Sequence, residues 1–406
     1  MALRLDTLNR NLLLLNCIRA SLRGTLSQDY ARKLFDGAVE WDRLLNDARQ
    51  SNTDPLLYYT LKEANVDGLL PGRVISELKT AYCFAFVHNV FYYRELSDIL
   101  NSFQSSGIQT IILKGAALAE TLYPDISLRP FGDIDLLIRS RDLPEAQDRL
   151  QCLGYGENTD REFYQGYRER FEEHFIYRKN AHIPVYVELH TSLPPFVSAR
   201  GLEVGGFWDR AVVAQIGEVD SLVLSEEDTV LHLCVHIFKH NFSTRLLWLY
   251  DLALLILRHG KGINWKLMEK RARKLGIHRV VGLALDQVRR ILDVSVPQDA
   301  TSWLESCRLS PVEKLLLVNG LGLVTWRHTL RLRLVKGVKG KLKLVFGQLF
   351  PSRGYIMRRY SLSSPGLMFF GYCYHLCSIF LRVARNVFAS TYRKLIKAIW
   401  TLDIRY

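Results

Sequence analysis

Two short apolar runs, 108–113 and 133–138, flank a segment that opens on Lys114-Gly115 and stops short of Pro124, and the second run carries carboxylates at Asp133 and Asp135. Runs of this length, rich in isoleucine and leucine, read as buried strands, and the pattern over about 115–122 reads as a helix between them. Side chains alternate across a strand, so Asp133 and Asp135 project to one face while Ile134 and Leu136 enter the core. Two carboxylates held on one face repel unless a proton or a cation lies between them. Magnesium, which prefers oxygen ligands, is the expected occupant. A helix beginning beside Lys114 adds a phosphate-attracting N-terminus.

The chain beyond this unit supplies a third acid. Asp142, with Pro144 and Glu145 behind it, is placed as the cap of a helix running to Gly154. Residues 174–179 and 183–190 alternate like two strands joined by a polar turn near Asn180. In the second, Val185, Val187 and Leu189 share one face, and Tyr186, Glu188 and His190 share the other.

The run Leu-Lys114-Gly115-Ala-Ala-Leu-Ala, the downstream Leu-Tyr-Pro, Arg129-Pro and Gly132-Asp133-Ile-Asp135-Leu-Leu-Ile resemble an uncharacterised nucleotidyltransferase-like family, a distant branch of the polymerase-beta-type superfamily. The resemblance runs from about Trp41 to Ile256 and is densest over 107–155. It implies an α+β fold, with a small mixed sheet of nucleotidyltransferase type flanked by N- and C-terminal helical regions. It further implies that Asp133, Asp135 and Glu188 are catalytic and hold Mg2+. Lys114, Gly115, Arg129, Gly132 and His190 then bind the nucleotide, and Glu188-Leu-His190 fits the family's acid followed two residues later by histidine. The superfamily usually carries Gly-Ser or Gly-Gly where this chain has Lys114-Gly115-Ala116, and its Asp-x-Asp follows more closely.

Four regions are expected: helices over 1–100, the α/β core over 101–200, a helical stretch over 201–320, and a basic, amphipathic region over 321–406. The net charge of +13 belongs to the last of these. Residues 321–406 hold 16 Lys+Arg against one acid, Asp403, whereas the first 320 hold 38 basic and 40 acidic residues. The basicity is therefore that of an appendage and not of the body. Over 366–400 apolar and basic residues separate onto two helical faces, which suits an anionic membrane surface; nucleic acid is the less favoured partner. The apolar stretch 366–381 is short of the roughly 20 residues a spanning helix requires. Seven scattered cysteines argue for a reducing compartment, and the N-terminal run Leu12–Leu15 is too short for a spanning helix and lacks the small-residue cleavage site of an export signal downstream. Cytoplasmic residence follows, with attachment to the inner membrane face as an option.

His232, His236 and His240 are spaced four apart and line one helical face. Zinc enzymes use such pairs, but the glutamate that a protease needs beside the first histidine is absent. Packing against the core is the favoured reading, with Lys239, His240 or Arg245 reaching a phosphate. Asp251 is expected to pair with Arg245 or to cap a neighbouring element.

The expected function is Mg2+-dependent transfer of a nucleoside monophosphate from a nucleoside triphosphate to an unidentified acceptor. The alternatives are a catalytically silent nucleotide-binding scaffold at a membrane, and a nucleotidyltransferase toxin acting on RNA. Repulsion among the clustered carboxylates leads to the expectation that Asp133→Asn and Asp135→Asn each raise the stability of the metal-free protein.

Overall fold

A computed structural model describes residues 12–157, 174–193, 205–240, 245–307 and parts of 346–380. Its architecture is α+β, a single mixed seven-stranded sheet with helices at both ends of the chain. The strands are β1 (Thr110–Leu113), β2 (Ile134–Ile138), β3 (Gly156–Glu157), β4 (His174–Lys179), β5 (Val185–His190), β6 (Val212–Ile216) and β7 (Val219–Val223), in the order β3-β4-β5-β2-β1-β7-β6. β1 and β2 are antiparallel, whereas β2 runs parallel to β5 and β1 runs parallel to β7.

The central strand β2 is buried along its whole length, because both faces of the sheet are covered. Ile134, Leu136 and Ile138 enter one core with Val185, Val187 and Leu189 of β5. Leu137, from the opposite face, joins a second core built from the helices at the two ends of the chain. That face also carries Asp135. The acids thus point toward the side of the sheet where the C-terminal helices pack.

The N-terminal helices are α1 (Leu12–Arg23), α2 (Gln28–Leu34), α3 (Trp41–Gln50), α4 (Asp54–Glu63) and α5 (Gly72–Ser105). The last is 34 residues long and buries Tyr92, Tyr93, Leu96, Ile99, Leu100 and Phe103 in the first core. Its polar groups hold the loops around the sheet. Asn89 Nδ2 donates to the carbonyls of Ile126 (2.7 Å) and Arg129 (3.1 Å). The Tyr92 hydroxyl donates to Pro184 (2.9 Å) and Gly132 (3.3 Å), and that of Tyr93 donates to the carbonyl of Ala116 (2.7 Å).

β1 passes directly into α6 (Lys114–Thr121), as the sequence pattern predicts. α7 (Leu143–Cys152) opens behind Asp142, which occupies the cap position but makes no side-chain cap bond, since a 3-10 turn over Ser140–Asp142 leads into the helix. A short helix α8 (Gly205–Arg210) precedes β6.

The hairpin β6–β7 lies in a stretch expected to be helical. Its strands are joined by Gly217 and Glu218, both with positive φ (56° and 68°), the conformation of a two-residue turn matched to strand twist. After it come α9 (Glu226–Lys239), α10 (Leu246–His259), α11 (Trp265–Lys274), α12 (His278–Leu292) and α13 (Gln298–Ser306). Ser225 caps α9 by accepting from the backbone of Asp228 at 3.3 Å. α10 is apolar nearly all round and buries ten of its residues, consistent with a helix enclosed on every side. All seven cysteines are free.

Of the basic C-terminal region, residues 368–378 are helical, and Phe369, Phe370, Tyr374 and Phe380 are exposed. His375 on the opposite side is buried and contacts the Tyr360 hydroxyl at 2.9 Å. Among the described residues no helix is long and apolar enough to cross a membrane. The expected amphipathic stripe beyond 380 lies outside the described residues.

Candidate active site

The register of three strands assembles the site. Leu113, the last residue of β1, is opposite Asp135, and Asp135 is beside Glu188 of β5. Lys114 therefore emerges over Asp135, and its Nζ lies 2.6 Å from Oδ1. The same oxygen is met by His190 Nε2 at 2.8 Å, and His190 Nε2 is 3.7 Å from Glu188 Oε2. Asp135, Glu188 and His190 each offer one ligand atom, and these atoms lie within 4.8 Å of one another. Strand alternation foresaw the shared face of Glu188 and His190. The ring of His190, expected to serve the nucleotide, lies against the carboxylates.

Lys114 has a left-handed backbone (φ 48°), unusual for a residue with a β-carbon. Gly115 follows for a steric reason. A Cβ there would lie 2.5 Å from Phe131 Cβ and 2.8 Å from Arg129 Nη1. Side chains are thus excluded where the loop before β2 crosses the start of α6. Gly132, also expected to serve the nucleotide, is exposed, with open space where a Cβ would project.

Burial alone would raise Asp135, but Lys114 and His190 outweigh it and hold the carboxylate well below its usual range. Asp133, half-buried just before β2, is pushed up to about 7 by burial and then by the Asp135 charge, against the pull of Lys114. Burial would lower Lys114, yet the charges of Asp135, Glu188 and Asp133 raise it. The two Asn variants are therefore expected to differ in their effect on stability. Asp133 is the carboxylate under repulsion, whereas Asp135 is the counter-ion of a largely buried ammonium that is 16 % exposed.

Arg129, expected at the phosphates, is buried in an ion pair with Asp251 of α10. Its Nη2 donates to Oδ2 at 2.8 Å and its Nε to Oδ1 at 3.3 Å, and the Tyr123 hydroxyl donates to Oδ1 at 2.7 Å. Asp251 thus pairs with Arg129 and not with Arg245. No local pattern could have joined positions 122 residues apart.

The histidine helix α9 borders the site. His232 is buried. The His236 ring is 4.6 Å from that of His240 and 4.6 Å edge-on from Trp248, and His240 lies 4.8 Å from the same indole. Burial, and then the Lys114 charge, hold His236 well below its ordinary value.

The donor set fits a divalent cation. Two carboxylates suit magnesium or manganese, and the imidazole widens the choice toward softer first-row ions. A profile of the family described as "Uncharacterised nucleotidyltransferase" matches residues 37–293. The chain belongs to this family. The chain matches no curated protein and no solved structure. As a member of a transferase family it carries its acids on neighbouring strands of one sheet face.

Proposed function

We propose that the protein transfers a nucleoside monophosphate from a nucleoside triphosphate to an acceptor hydroxyl, using Mg2+. The observation that carries the proposal is the pairing of Asp135 with Glu188 in register, with Lys114 Nζ 2.6 Å from Asp135. Asp133, Asp135 and Glu188, with His190 beside them, would hold the metal. When bound, it supplies positive charge that offsets charge developing on the transferring phosphate and on the leaving pyrophosphate.

The remaining roles belong to the side chains. The acceptor oxygen bonds to the α-phosphorus as the bond to the bridging oxygen breaks, and pyrophosphate leaves. Glu188 is the base that takes the acceptor proton. Lys114 and the backbone of Gly115 neutralise phosphate oxygens. Arg129, held by Asp251, acts through its field, which also lowers Asp133.

The exposed Phe369, Phe370, Tyr374 and Phe380, set in a basic region, support attachment to an anionic membrane surface. The test of that attachment is co-sedimentation of the full chain with anionic and with neutral vesicles. Equal binding to both would remove this part of the reading.

For the reaction, pyrophosphate release is measured with each nucleoside triphosphate, Mg2+ and a total cell extract as acceptor pool. Release that is lost in Asp135→Asn and Glu188→Gln is expected. Nucleotide binding without release would leave the silent scaffold, and neither binding nor release would remove the nucleotide reading altogether.

A further inference from the structure

Beside the acidic face, one cluster of aromatic and basic side chains has no part in the transfer chemistry. It comprises His236 and His240 at the end of α9, Trp248 in the first turn of α10, and Arg245 just before that turn. The three rings lie within 4.6 to 4.8 Å of one another, and the Arg245 guanidinium lies 5.1 Å over the indole. His240 and Arg245 are exposed, whereas His236 and Trp248 are half-buried. The cluster thus runs from solvent inward, and its inner ring, His236, feels the charge of Lys114.

We infer that Trp248, His240 and Arg245 form the platform on which the base of the nucleoside triphosphate stacks. This inference rests on the proposed nucleotide reading of the Lys114 site. A nucleotide whose phosphates lie at Lys114 must direct its base somewhere along the adjoining surface. An indole and a guanidinium are the groups on which bases stack, because every base presents a flat π-face and the cation adds to the attraction. Arg245 already lies over the indole, so this face accepts a planar cationic group and is approached from the exposed side. Burial keeps His236 neutral, so the inner wall is an uncharged ring that leaves the positive charge to Lys114 and Arg245.

The test compares ligands with and without a base. The full chain is titrated by calorimetry with magnesium tripolyphosphate and with ATP, GTP, CTP and UTP, each with Mg2+. At least one nucleotide should bind more tightly than tripolyphosphate by roughly tenfold to a hundredfold, the usual effect of stacking one base. Trp248→Leu should remove that difference and leave tripolyphosphate binding unchanged. Trp248→Phe should keep most of the preference while abolishing nucleotide quenching of tryptophan fluorescence. Arg245→Ala, at an exposed side chain, should weaken the nucleotides alone, with the melting temperature of each variant read alongside.

Two results overturn the platform while leaving the metal and phosphate reading intact. One is equal binding of tripolyphosphate and all four nucleotides. The other is an equal loss of both ligand types in Trp248→Leu and in Arg245→Ala. Failure of every ligand to bind the wild type overturns the platform and the proposed function together.

Discussion

Asp133 and Asp135 stand two residues apart at the start of the central strand, yet burial lifts the first to about 7 while Lys114 and His190 keep the second ionised. The pair is therefore an asymmetric one, with a carboxylate that resists charge beside one that is locked into it.

Opposite stability effects should follow. Asp133 normally ionises near 3.8, so between about pH 4 and 7 the folded protein holds a proton that the unfolded chain has released. Stability from this group falls as pH rises through that window and is lowest above it. In chelator, Asp133→Asn should be more stable than wild type by on the order of 2 kcal/mol at pH 8, with little difference near pH 4. Asp135→Asn should be less stable by about 3 kcal/mol, because it leaves the Lys114 ammonium without its counter-ion. Thermal melts at the two pH values decide the matter, and equal shifts in the two variants would contradict the asymmetry.

Lys114 should oppose metal binding while favouring the triphosphate. Its ammonium lies 2.6 Å from the carboxylate that would ligate the ion. Lys114→Met removes a competing positive charge, so Mn2+ alone should bind roughly tenfold more tightly, an effect of one close charge pair. Magnesium tripolyphosphate should bind less tightly. Mn2+ titration followed by electron paramagnetic resonance reads the first effect, and weaker Mn2+ binding in the variant would contradict it.

His236 should make the fold sensitive to mild acid. Burial and the Lys114 charge hold it well below 6.5, so the unfolded chain takes up a proton that the folded one refuses. Stability present above pH 6.5 is lost as pH falls below it, by up to about 1.4 kcal/mol per pH unit for this one group. Between pH 7.5 and 5.5, His236→Gln should therefore lose less stability than wild type, as measured by urea denaturation. Parallel losses in the two proteins would show that the ring titrates freely in the fold.

The Arg129–Asp251 pair should matter to the fold more than to ligand contact. Removing one partner of a buried ion pair costs about 3–5 kcal/mol. Asp251→Asn should accordingly lower the melting temperature sharply. If Arg129 instead bound phosphate directly, Arg129→Met would weaken tripolyphosphate binding and leave the melt unchanged.

Much of this site was legible in the chain because periodicity reports faces. β1, β2, β4 and β5 follow their apolar patterns to within about two residues, and strand alternation alone placed Glu188 and His190 together. What escaped was long-range or locally ambiguous. The β6–β7 hairpin has weak alternation, with Val212 and Val213 both exposed, and its turn uses Glu218 where glycine or asparagine is the usual signal. The capture of Arg129 by Asp251 depends on tertiary packing, and the tilt of Lys114 onto Asp135 depends on a left-handed residue that no composition rule foresees.

The long helix α5 sets the mechanical character of the whole arrangement. Within five residues, Asn89, Tyr92 and Tyr93 each fasten a different segment next to the acids: the loop to Arg129, the approach to Asp133, and the start of α6. Those segments cannot loosen one at a time without breaking bonds to a single rigid rod. The amides of 131–134 should therefore exchange with solvent only as fast as α5 itself opens, which leaves the α9–α10 side of the sheet as the side freer to breathe.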